Sequence, residues 1–540
     1  MKNSIYLFLI IFIFEVQLNA QNSYYFISFK DKDTTNFSIL LPENFLSIKS
    51  IERKKKFNLP VLTINDLPVN KKYIDTIIPF LHQHLQTLKW FNGIVVLANN
   101  NLTDSLKGFK FIKEITLIGY EKDNEFLKEI DLLEKVNLLE KKFEKDEKVD
   151  SSLYYGFATN IIYFNKIQKL HQLNLKGKNI NIAVIDVGFN NVANNPYFKN
   201  SNIKNTVTFS ENQNDFHGLS VLGCLAAKIP YQYVGAAPEA NYYLFSSENV
   251  NFEYPIEEYY WAKSAEIADS IGVDLISSSL GYSEFDDKKF NHKHKDLNGY
   301  KTTIAKAANI ALANGMAVVT SAGNECDKLW ETITTPADVE NALTVGSCNE
   351  EKNVSRFSSV GFVKRNIVKP EITSLGQSVE LINDKAKIYT GNGTSYSTPI
   401  VAGGVACLMQ NYPDKTFKDI KYAINLSANN YYNPNKNIGF GVPDFGLAFL
   451  YLKSYSNDTI LNVVQLLDSN FHISLFSTSK QKVEITLLST DNKIVLKHNE
   501  KIGINYNRFR LNKTHKLKRG LYILKVKTSN TVLFQKVDLL

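Results

Sequence analysis

A series of short apolar segments between residues 155 and 451, separated by helical patterns rich in small residues, most constrains the fold of this chain. The segments are almost continuously apolar, which is typical of strands buried on both faces of a parallel sheet. Helical patterns at 257–270 and 302–314 fit right-handed crossovers. The candidate strands are residues 181–185, 241–245, 273–277, 317–321 and 342–345. The sequence therefore predicts an α/β domain over residues 155–453, with a doubly wound, mostly parallel sheet.

Polar residues stand where such a sheet places its functional groups, at the carboxyl ends of strands. Asp186 ends the first candidate strand, and Asn324 follows the fourth in Ser-Ala-Gly-Asn. His217 begins an apolar helical stretch in His-Gly. Taken singly, each residue is better explained by a strand-end cap or a surface turn.

The fourth polar feature is the stretch 393–399, Gly-Thr-Ser-Tyr-Ser-Thr-Pro, which precedes a small, apolar helix. Backbone N–H groups at a helix start favour developing negative charge, as an acyl-transfer nucleophile at Ser395 requires. An ordinary helix cap would also explain a lone Gly-Thr-Ser. The order Asp, His, Asn, Ser within one α/β domain instead indicates nucleophilic catalysis with a general base.

The residues around these positions resemble the subtilisin-like serine proteases, the subtilase family. The resemblance covers about residues 155–451 and rests on A-V-I-D-V-G, H-G-L-S-V-L-G, S-A-G-N and G-T-S-Y-S-T-P, in the chain order Asp, His, Ser. It implies a serine endopeptidase in which Ser395 is the nucleophile, His217 the general base and Asp186 the group that holds the imidazole. It also implies an oxyanion hole formed by Asn324 and the backbone N–H of Ser395.

Two further stretches fit the resemblance. One is similar to the strand end whose backbone pairs with an extended substrate, although a strand-to-loop turn would also explain it. Its residues are Ser278, Ser279, Leu280 and Gly281. The other, Thr335-Pro336-Ala337, resembles the segment near the primary pocket, in which the bond before proline can be cis.

Two positions depart from the family pattern. Leu219 replaces the usual threonine after His-Gly, and Ser220 stands where a second histidine is common. We expect a changed pocket wall rather than loss of activity. These departures are the only motive for the rival interpretation, a catalytically silent subtilase fold that acts as a surface binding protein. A lipase or esterase is disfavoured because the serine does not lie in G-x-S-x-G.

Metal chemistry has little support in the sequence, which contains neither H-E-x-x-H nor C-x-x-C. Glu248, Glu253 and Glu257 could face a basic substrate, bind calcium or form a solvated helix start. His292 and His294 lie in a polar loop and are interpreted as surface residues. We therefore expect no cofactor or metal in catalysis, and a structural calcium with unknown ligands stays open.

The N-terminal part has the pattern of a leader peptide followed by a small domain. Residues 1–20 have a basic start, an apolar core at 5–14 and Ala20 at the expected cut, which is typical of a signal peptide. Residues 21–120 predict an α+β domain with strands at 24–29, 93–98 and 115–118. This domain resembles the inhibitory propeptide of subtilases. Residues 121–154, dense in Glu and Lys, predict a linker with a processing region.

The C-terminal part, residues 454–540, predicts an antiparallel β-sandwich. Its candidate strands are residues 471–476, 483–488, 494–497, 521–526 and 532–537. It resembles the sorting domain of type IX secretion; the alternative is a sandwich that helps bind substrate or stabilises the enzyme. The expected partners are polypeptide substrates, the propeptide and the type IX machinery, for a monomer that is secreted or held at the cell surface.

The charge, the apolar segments and the cysteines limit the kinds of protein that this chain can be. The net charge of +8 comes from lysines spread along the 540 residues, which argues against a nucleic-acid surface. No segment approaches the roughly 20 apolar residues of a membrane span. Among the four cysteines, a Cys326–Cys348 disulfide is a hypothesis, and Cys224 and Cys407 are expected to be buried free thiols.

Overall fold

The computed structural model describes residues 22–32, 38–121, 154–209, 215–364, 367–431, 433–454, 461–465, 471–477, 479–490, 493–503, 505–511, 516–529 and 532–539. We refer to residues 22–121 as the N-terminal domain, 154–454 as the central domain and 461–539 as the C-terminal module. The signal peptide predicted at 1–20 and nearly all of the linker predicted at 121–154 lie outside the described residues. Within them, no helix combines the length and apolar character needed to cross a membrane.

The N-terminal domain is a four-stranded antiparallel sheet with short helices. Its strands are Asn22–Phe29 (β1), Gln83–Leu88 (β2), Gly93–Asn99 (β3) and Ile112–Tyr120 (β4). Its helices are Ile48–Lys56 (α1), Lys71–Ile77 (α2) and Leu102–Leu106 (α3). The strand order is β2-β3-β1-β4. Sequence patterns predicted all but β2, in which polar residues predominate and the apolar signal is weak.

The central domain contains most of the regular structure. Its strands are Asn181–Asp186 (β5), Asn202–Thr208 (β6), Lys228–Ile229 (β7), Tyr233–Val234 (β8), Asn241–Ser246 (β9), Leu275–Ser278 (β10), Ala317–Ser321 (β11), Leu343–Cys348 (β12), Phe362–Lys364 (β13), Ile367–Lys369 (β14), Ile372–Leu375 (β15), Val379–Ile382 (β16) and Ile388–Gly391 (β17). Its helices are Thr159–Phe164 (α4), Gln168–Gln172 (α5), His217–Ala226 (α6), Ile256–Ile271 (α7), Thr303–Ala313 (α8), Thr394–Asn411 (α9), Phe417–Ser427 (α10) and Phe445–Ser454 (α11).

Seven of these strands form the central sheet, in the order β15-β12-β11-β10-β5-β9-β6, and every neighbouring pair is parallel. The predicted parallel α/β sheet is therefore confirmed. The five predicted strands correspond to β5, β9, β10, β11 and β12. The sequence patterns missed β6, because its residues are polar and mostly exposed, and the short strand β15.

Both faces of the sheet are covered by helices, which explains the near-continuous apolar strands. Alternate residues of β5 show this: Ile182 and Val184 join a core that includes α6 and α9. Ala183 and Ile185 join a second core, which includes α7 and α8. Polar side chains at the carboxyl ends of the strands lie outside these two cores, where they can meet.

The C-terminal module consists of two antiparallel sheets around one core. Its strands are Leu461–Gln465 (β18), Phe471–Ser477 (β19), Gln481–Ser489 (β20), Ile494–Ile502 (β21), Asn505–Leu511 (β22), Gly520–Lys527 (β23) and Val532–Leu539 (β24). The sheet orders are β18-β19-β22 and β21-β20-β23-β24. Phe471 and Phe509 of one sheet and Ile485 and Leu524 of the other share the core. The strand-rich prediction for this region is confirmed.

All four cysteines are free thiols. The hypothesis of a Cys326–Cys348 bridge is therefore wrong. Cys348 ends β12 and its Sγ donates a hydrogen bond to the Ser374 carbonyl on the neighbouring strand, at 3.3 Å. Cys326 lies in the loop after β11, where its backbone N–H bonds to Phe357. Each of these two cysteines lies near a strand end in the sequence, but that position does not determine the direction of its side chain.

Candidate active site

Asp186 and His217 form a short hydrogen-bonded pair at the carboxyl end of β5. The His217 Nδ1 lies 2.6 Å from Asp186 Oδ1. Asp186 is fully buried at the end of its strand, and His217 is the first residue of α6. Asp215 Oδ1 accepts the backbone N–H of His217 at 2.7 Å, which anchors the start of that helix. Because Nδ1 is engaged by the carboxylate, Nε2 is the ring nitrogen available for proton transfer.

The electrostatic surroundings of His217 favour its protonated form. Burial by itself would lower the pKa of His217, but the charge and hydrogen bond of Asp186 outweigh it, and Asp215 and Glu248 add to the effect. The result is a pKa above the ordinary imidazole value. A base stabilised as the cation suits a step in which it accepts a proton from a hydroxyl.

Ser395 lies in the first turn of α9, and Pro399 determines part of its surroundings. Proline has no N–H, so the Ser395 carbonyl four residues earlier lacks its normal helical donor. The hydroxyl of Ser279 donates to that carbonyl instead, at 2.8 Å. The helix start is thereby joined to the end of β10.

The Ser395 hydroxyl donates to the backbone carbonyl of Ser279 at 3.2 Å. No hydrogen bond joins Ser395 to His217 in the described part of the chain. Bonds between a nucleophile and its base are commonly long without substrate and shorten in the reactive complex. Among the described residues, the Ser395 hydroxyl is held by this one long bond.

Asn324 lies beyond the end of β11, next to the start of α9. Its Oδ1 accepts the backbone N–H of Thr394 at 2.9 Å and the Thr394 hydroxyl at 3.0 Å. The side-chain NH₂ group is left as a donor beside the nucleophile. The backbone N–H of Ser395, in the first helical turn, has no acceptor within the helix. These are the two donors that an oxyanion hole would use.

The predicted substrate-binding residues 278–281 continue from β10 past the nucleophile. Ser278 is buried and its hydroxyl accepts the indole N–H of Trp261 at 2.9 Å, which fixes the strand end. Ser279 holds Ser395 through the two bonds described above. Leu280 is largely buried, and Gly281 lies beside Thr334. Of these four residues, Ser279 is the one in direct contact with Ser395, and the substrate-binding role of the segment stays a prediction.

The two departures from the family pattern lie in the interior. Leu219 and Ser220 have no exposed surface, and Leu219 belongs to the core shared with α9. Ser220 Oγ lies 2.8 Å from both the Ile382 carbonyl and the Tyr389 hydroxyl. The expectation of a changed pocket wall is therefore wrong, because two and three residues beyond His217 the helix faces the core.

Sequence reasoning missed Tyr396 as part of this site. Its ring lies 5.7 Å from the His217 ring, centroid to centroid, and its hydroxyl is hydrogen-bonded to Tyr389. Tyr389 in turn contacts Ser220. The side chains therefore form a chain from Ser220 to His217. Only the position of Tyr396 directly after Ser395 could have indicated it.

The three glutamates considered for calcium do come together. Carboxylate oxygens of Glu248, Glu253 and Glu257 lie within 4.8 Å of one another. Burial raises the pKa of Glu248 to about 7, and burial and mutual repulsion also raise the pKa values of Glu253 and Glu257 well above the ordinary carboxyl range. Glu248 Oε1 accepts the Tyr282 hydroxyl at 2.5 Å, and both oxygens of Glu257 accept backbone N–H groups. Protein donors thus already use much of this oxygen set, and calcium binding stays a prediction.

The two loop histidines, His292 and His294, differ in exposure and in their contacts. His294 is exposed, as predicted, and stacks on Trp330 with ring centroids 4.2 Å apart. His292 is half-buried, and its Nε2 lies 2.5 Å from Glu258 Oε1. Its interpretation as a surface residue is wrong, because that carboxylate is buried beneath the loop. The Thr335–Pro336 bond is cis, as the hypothesis for this segment had it.

Two family models match the chain. Residues 177–441 match the model described as the subtilase family, peptidase S8. Residues 24–131 match the peptidase S8 propeptide domain of Bacteroidota. The first match contains Asp186, His217, Asn324 and Ser395, and the second covers nearly all of the N-terminal domain. The domain boundaries drawn from sequence, at residues 20, 120, 154 and 453, stay predictions.

Two curated relatives and one solved structure illustrate what this chain is similar to. The membrane-bound transcription factor site-1 protease of Mus musculus is 28% identical over 311 residues, 54% of this chain and 27% of the relative. Subtilisin DY of Bacillus licheniformis is 27% identical over 277 residues, 49% of this chain and 89% of the relative. The chain thus spans about a quarter of the site-1 proteases that it matches. MycP1 from Mycobacterium smegmatis is 19% identical, with a TM-score of 0.43 over 57% of this chain and 89% of that structure.

Proposed function

This chain carries a serine peptidase domain of the subtilase family behind an S8 propeptide domain, and we propose that it is a secreted endopeptidase that cleaves polypeptides through an acyl-enzyme. Ser395 attacks the scissile carbonyl while His217 accepts its proton at Nε2. Asp186 holds the imidazole through Nδ1 and stabilises its cation. The same histidine then donates the proton to the leaving amine, and water reverses the sequence to release the acid.

The observation that carries this proposal is the convergence of the four residues on one edge of the sheet. The Asp186–His217 distance of 2.6 Å orients the base. Thr394 joins Asn324 to the helix that bears Ser395, which brings the amide to the residue directly before the nucleophile. Negative charge that develops on the carbonyl oxygen is stabilised by such preorganised donors.

The N-terminal domain contacts α7 of the central domain, which supports a precursor in which the two domains stay bound until processing. The backbone N–H of Trp90 donates to Glu266 on α7 at 3.0 Å, and Lys263 of that helix donates to the Thr87 carbonyl at 2.7 Å. Arg53 of α1 forms a buried ion pair with Asp269. In this proposal the domain acts as an inhibitor in cis and leaves after cleavage within residues 121–154.

Labelling with a fluorophosphonate probe tests the proposed chemistry. The processed wild-type protein should be labelled and should cleave casein, whereas Ser395→Ala should do neither. Ser397→Ala is the matched control, because Ser397 lies in the same helix turn but donates to the Ser374 carbonyl, and it should still be labelled. Equal labelling of wild type and Ser395→Ala would reject the role of Ser395. A wild type that is neither labelled nor active would favour the silent binding protein.

Export belongs to the same proposal. The apolar run at residues 5–14 supports a signal peptide, and the strand-rich C-terminal module supports recognition by the type IX secretion machinery. Mass spectrometry of the protein recovered from the medium tests both. We expect an N-terminus beyond residue 120 and a C-terminus near residue 454. Recovery of the uncut chain from the cytoplasm alone would reject export.

A further inference from the structure

Tyr396 directly follows the nucleophile, and its ring packs against the ring of the base. The centroids of Tyr396 and His217 are 5.7 Å apart, and the two planes are inclined by 40°. The Tyr396 ring also approaches Gly391 at the end of β17, where a Cβ would lie 3.0 Å from ring atom Cε2. Asp186 bonds the imidazole at Nδ1 alone, and the outer torsion of histidine is soft. The aromatic contact is therefore what limits the tilt of the ring.

A chain of three hydroxyl groups holds Tyr396 in this position. The Tyr396 hydroxyl is hydrogen-bonded to Tyr389, and the Tyr389 hydroxyl lies 2.8 Å from Ser220 Oγ. Ser220 Oγ lies 2.8 Å from the Ile382 carbonyl and 3.2 Å from the Phe216 carbonyl. A carbonyl can only accept, so Ser220 spends its one proton there and accepts from Tyr389. Tyr389 then has no proton left for Tyr396, which must be the donor of the remaining bond.

The far end of this chain belongs to the helix that carries the base. Ser220 is fully buried in α6, three residues after His217. Phe216, directly before His217, packs edge-on against the Tyr389 ring, with centroids 5.8 Å apart and planes at 90°. The contacts thus leave α6 at Ser220, pass through β17 and return to His217 through Tyr396. A closed set of contacts of this kind holds a functional side chain more precisely than any one of them does.

Tyr396 and Tyr389 take no part in proton transfer themselves. Burial raises the pKa of Tyr396 well above its ordinary value and also raises that of Tyr389, so both hydroxyls stay protonated at neutral pH. We propose that Tyr396 is a positioning residue: anchored through Tyr389 to Ser220, its ring holds the imidazole of His217 in the orientation that receives the Ser395 proton. This inference rests on the proposed function. It gives Ser220, a departure from the family pattern, a role at the end of the chain.

Two conservative variants of the processed full-length protein test the anchor. Tyr396→Phe keeps the ring and removes the donor, and Tyr389→Phe removes the acceptor without touching the base. Each should lower kcat by about 10-fold with KM unchanged, a part of the about 100-fold that a 1 Å misplacement can cost. The rate constant of fluorophosphonate labelling should fall by the same factor, because it needs the same base but no peptide. Tyr242→Phe is the matched control, since it removes a buried hydroxyl that donates to the Ala237 carbonyl at 2.7 Å, and it should keep both wild-type rates.

The double variant Tyr396→Phe/Tyr389→Phe shows whether the two hydroxyls act through one contact. Because both substitutions break the same hydrogen bond, the double variant should lose about as much as one single variant, whereas independent effects would multiply to about 100-fold. A loss that multiplies overturns the proposal, as does an unchanged kcat in both single variants of an active wild type.

Ser220→Ala breaks the chain one bond further away and keeps the test decisive when the tyrosine variants do not fold. It should also lower kcat and the labelling rate while KM stays unchanged. A wild-type kcat in Ser220→Ala, or a loss confined to KM, overturns the proposal. A wild type that is neither labelled nor active rejects the proposed function itself, and the inference with it.

Discussion

The side-chain oxygen of Asn324 accepts hydrogen bonds from both the backbone N–H and the hydroxyl of Thr394, at 2.9 and 3.0 Å. Thr394 directly precedes Ser395, so these two bonds join the amide to the start of the nucleophile's helix across 70 residues of chain. Because both bonds go to the oxygen, the orientation of the amide is fixed and its NH₂ group is left to donate. The strength of an oxyanion hole depends on this kind of preorganisation.

Replacing Asn324 with alanine should lower kcat by about 10²–10³-fold with little change in KM, the loss that follows removal of such a donor in a subtilisin. Steady-state kinetics on a peptide substrate measure both constants. Thr394→Val should give a smaller loss of kcat, because it removes one of the two bonds that orient the amide. A loss confined to KM in Asn324→Ala would contradict the role of the amide as a transition-state donor.

Activity should rise with pH through the pKa of His217, because the neutral imidazole is the form that accepts the serine proton. Asp186, Asp215 and Glu248 hold this pKa above the ordinary value, so the rise should be centred above about pH 6.5. Glu248→Gln removes the negative charge that Glu248 gains as pH rises through its own pKa of about 7, so it should lower the pKa of His217 and shift the rise modestly to lower pH. Profiles of kcat/KM between pH 5 and 9 measure the shift. The exposed Glu351→Gln serves as the control, and an upward shift in Glu248→Gln would contradict the assignment.

Breaking the buried ion pair between Arg53 and Asp269 should loosen the N-terminal domain. Both side chains are almost completely buried, and Lys54 also lies 3.3 Å from Asp269. Arg53→Leu leaves that carboxylate with one cation, and loss of a buried partner typically costs about 3–5 kcal/mol. Denaturant unfolding of the uncleaved precursor, kept inactive by Ser395→Ala, measures the loss. Lys71→Leu is the control, because its pair with Asp75 is exposed and should matter little.

One thiol per native chain should react rapidly with a disulfide reagent. Cys326 is partly exposed, whereas Cys224, Cys348 and Cys407 are buried. Burial raises the pKa of Cys224 and of Cys348 to about 12, so few thiolates form at neutral pH. After denaturation without reductant, all four cysteines should titrate. Only two reactive thiols in the denatured protein would indicate a disulfide that this structure does not contain.

Much of the fold could be predicted because it depends on local patterns. The near-continuous apolar segments predicted strands buried on both faces, and they account for five of the seven strands of the central sheet. The edge strand β6 did not, because a polar strand with one exposed face resembles a loop in sequence. Asp186, His217, Asn324 and Ser395 could be named for a similar reason, since each stands at a strand end or helix start that the pattern marks.

What the sequence by itself determined is therefore the order of the elements and the identity of the polar groups at their ends. Only the tertiary structure decided how those groups meet: that Ser279 replaces the donor missing at Pro399, and that Leu219 and Ser220 face the core. The reason is physical. A side chain's direction depends on backbone held by contacts between residues far apart in the chain, and no local pattern records those contacts.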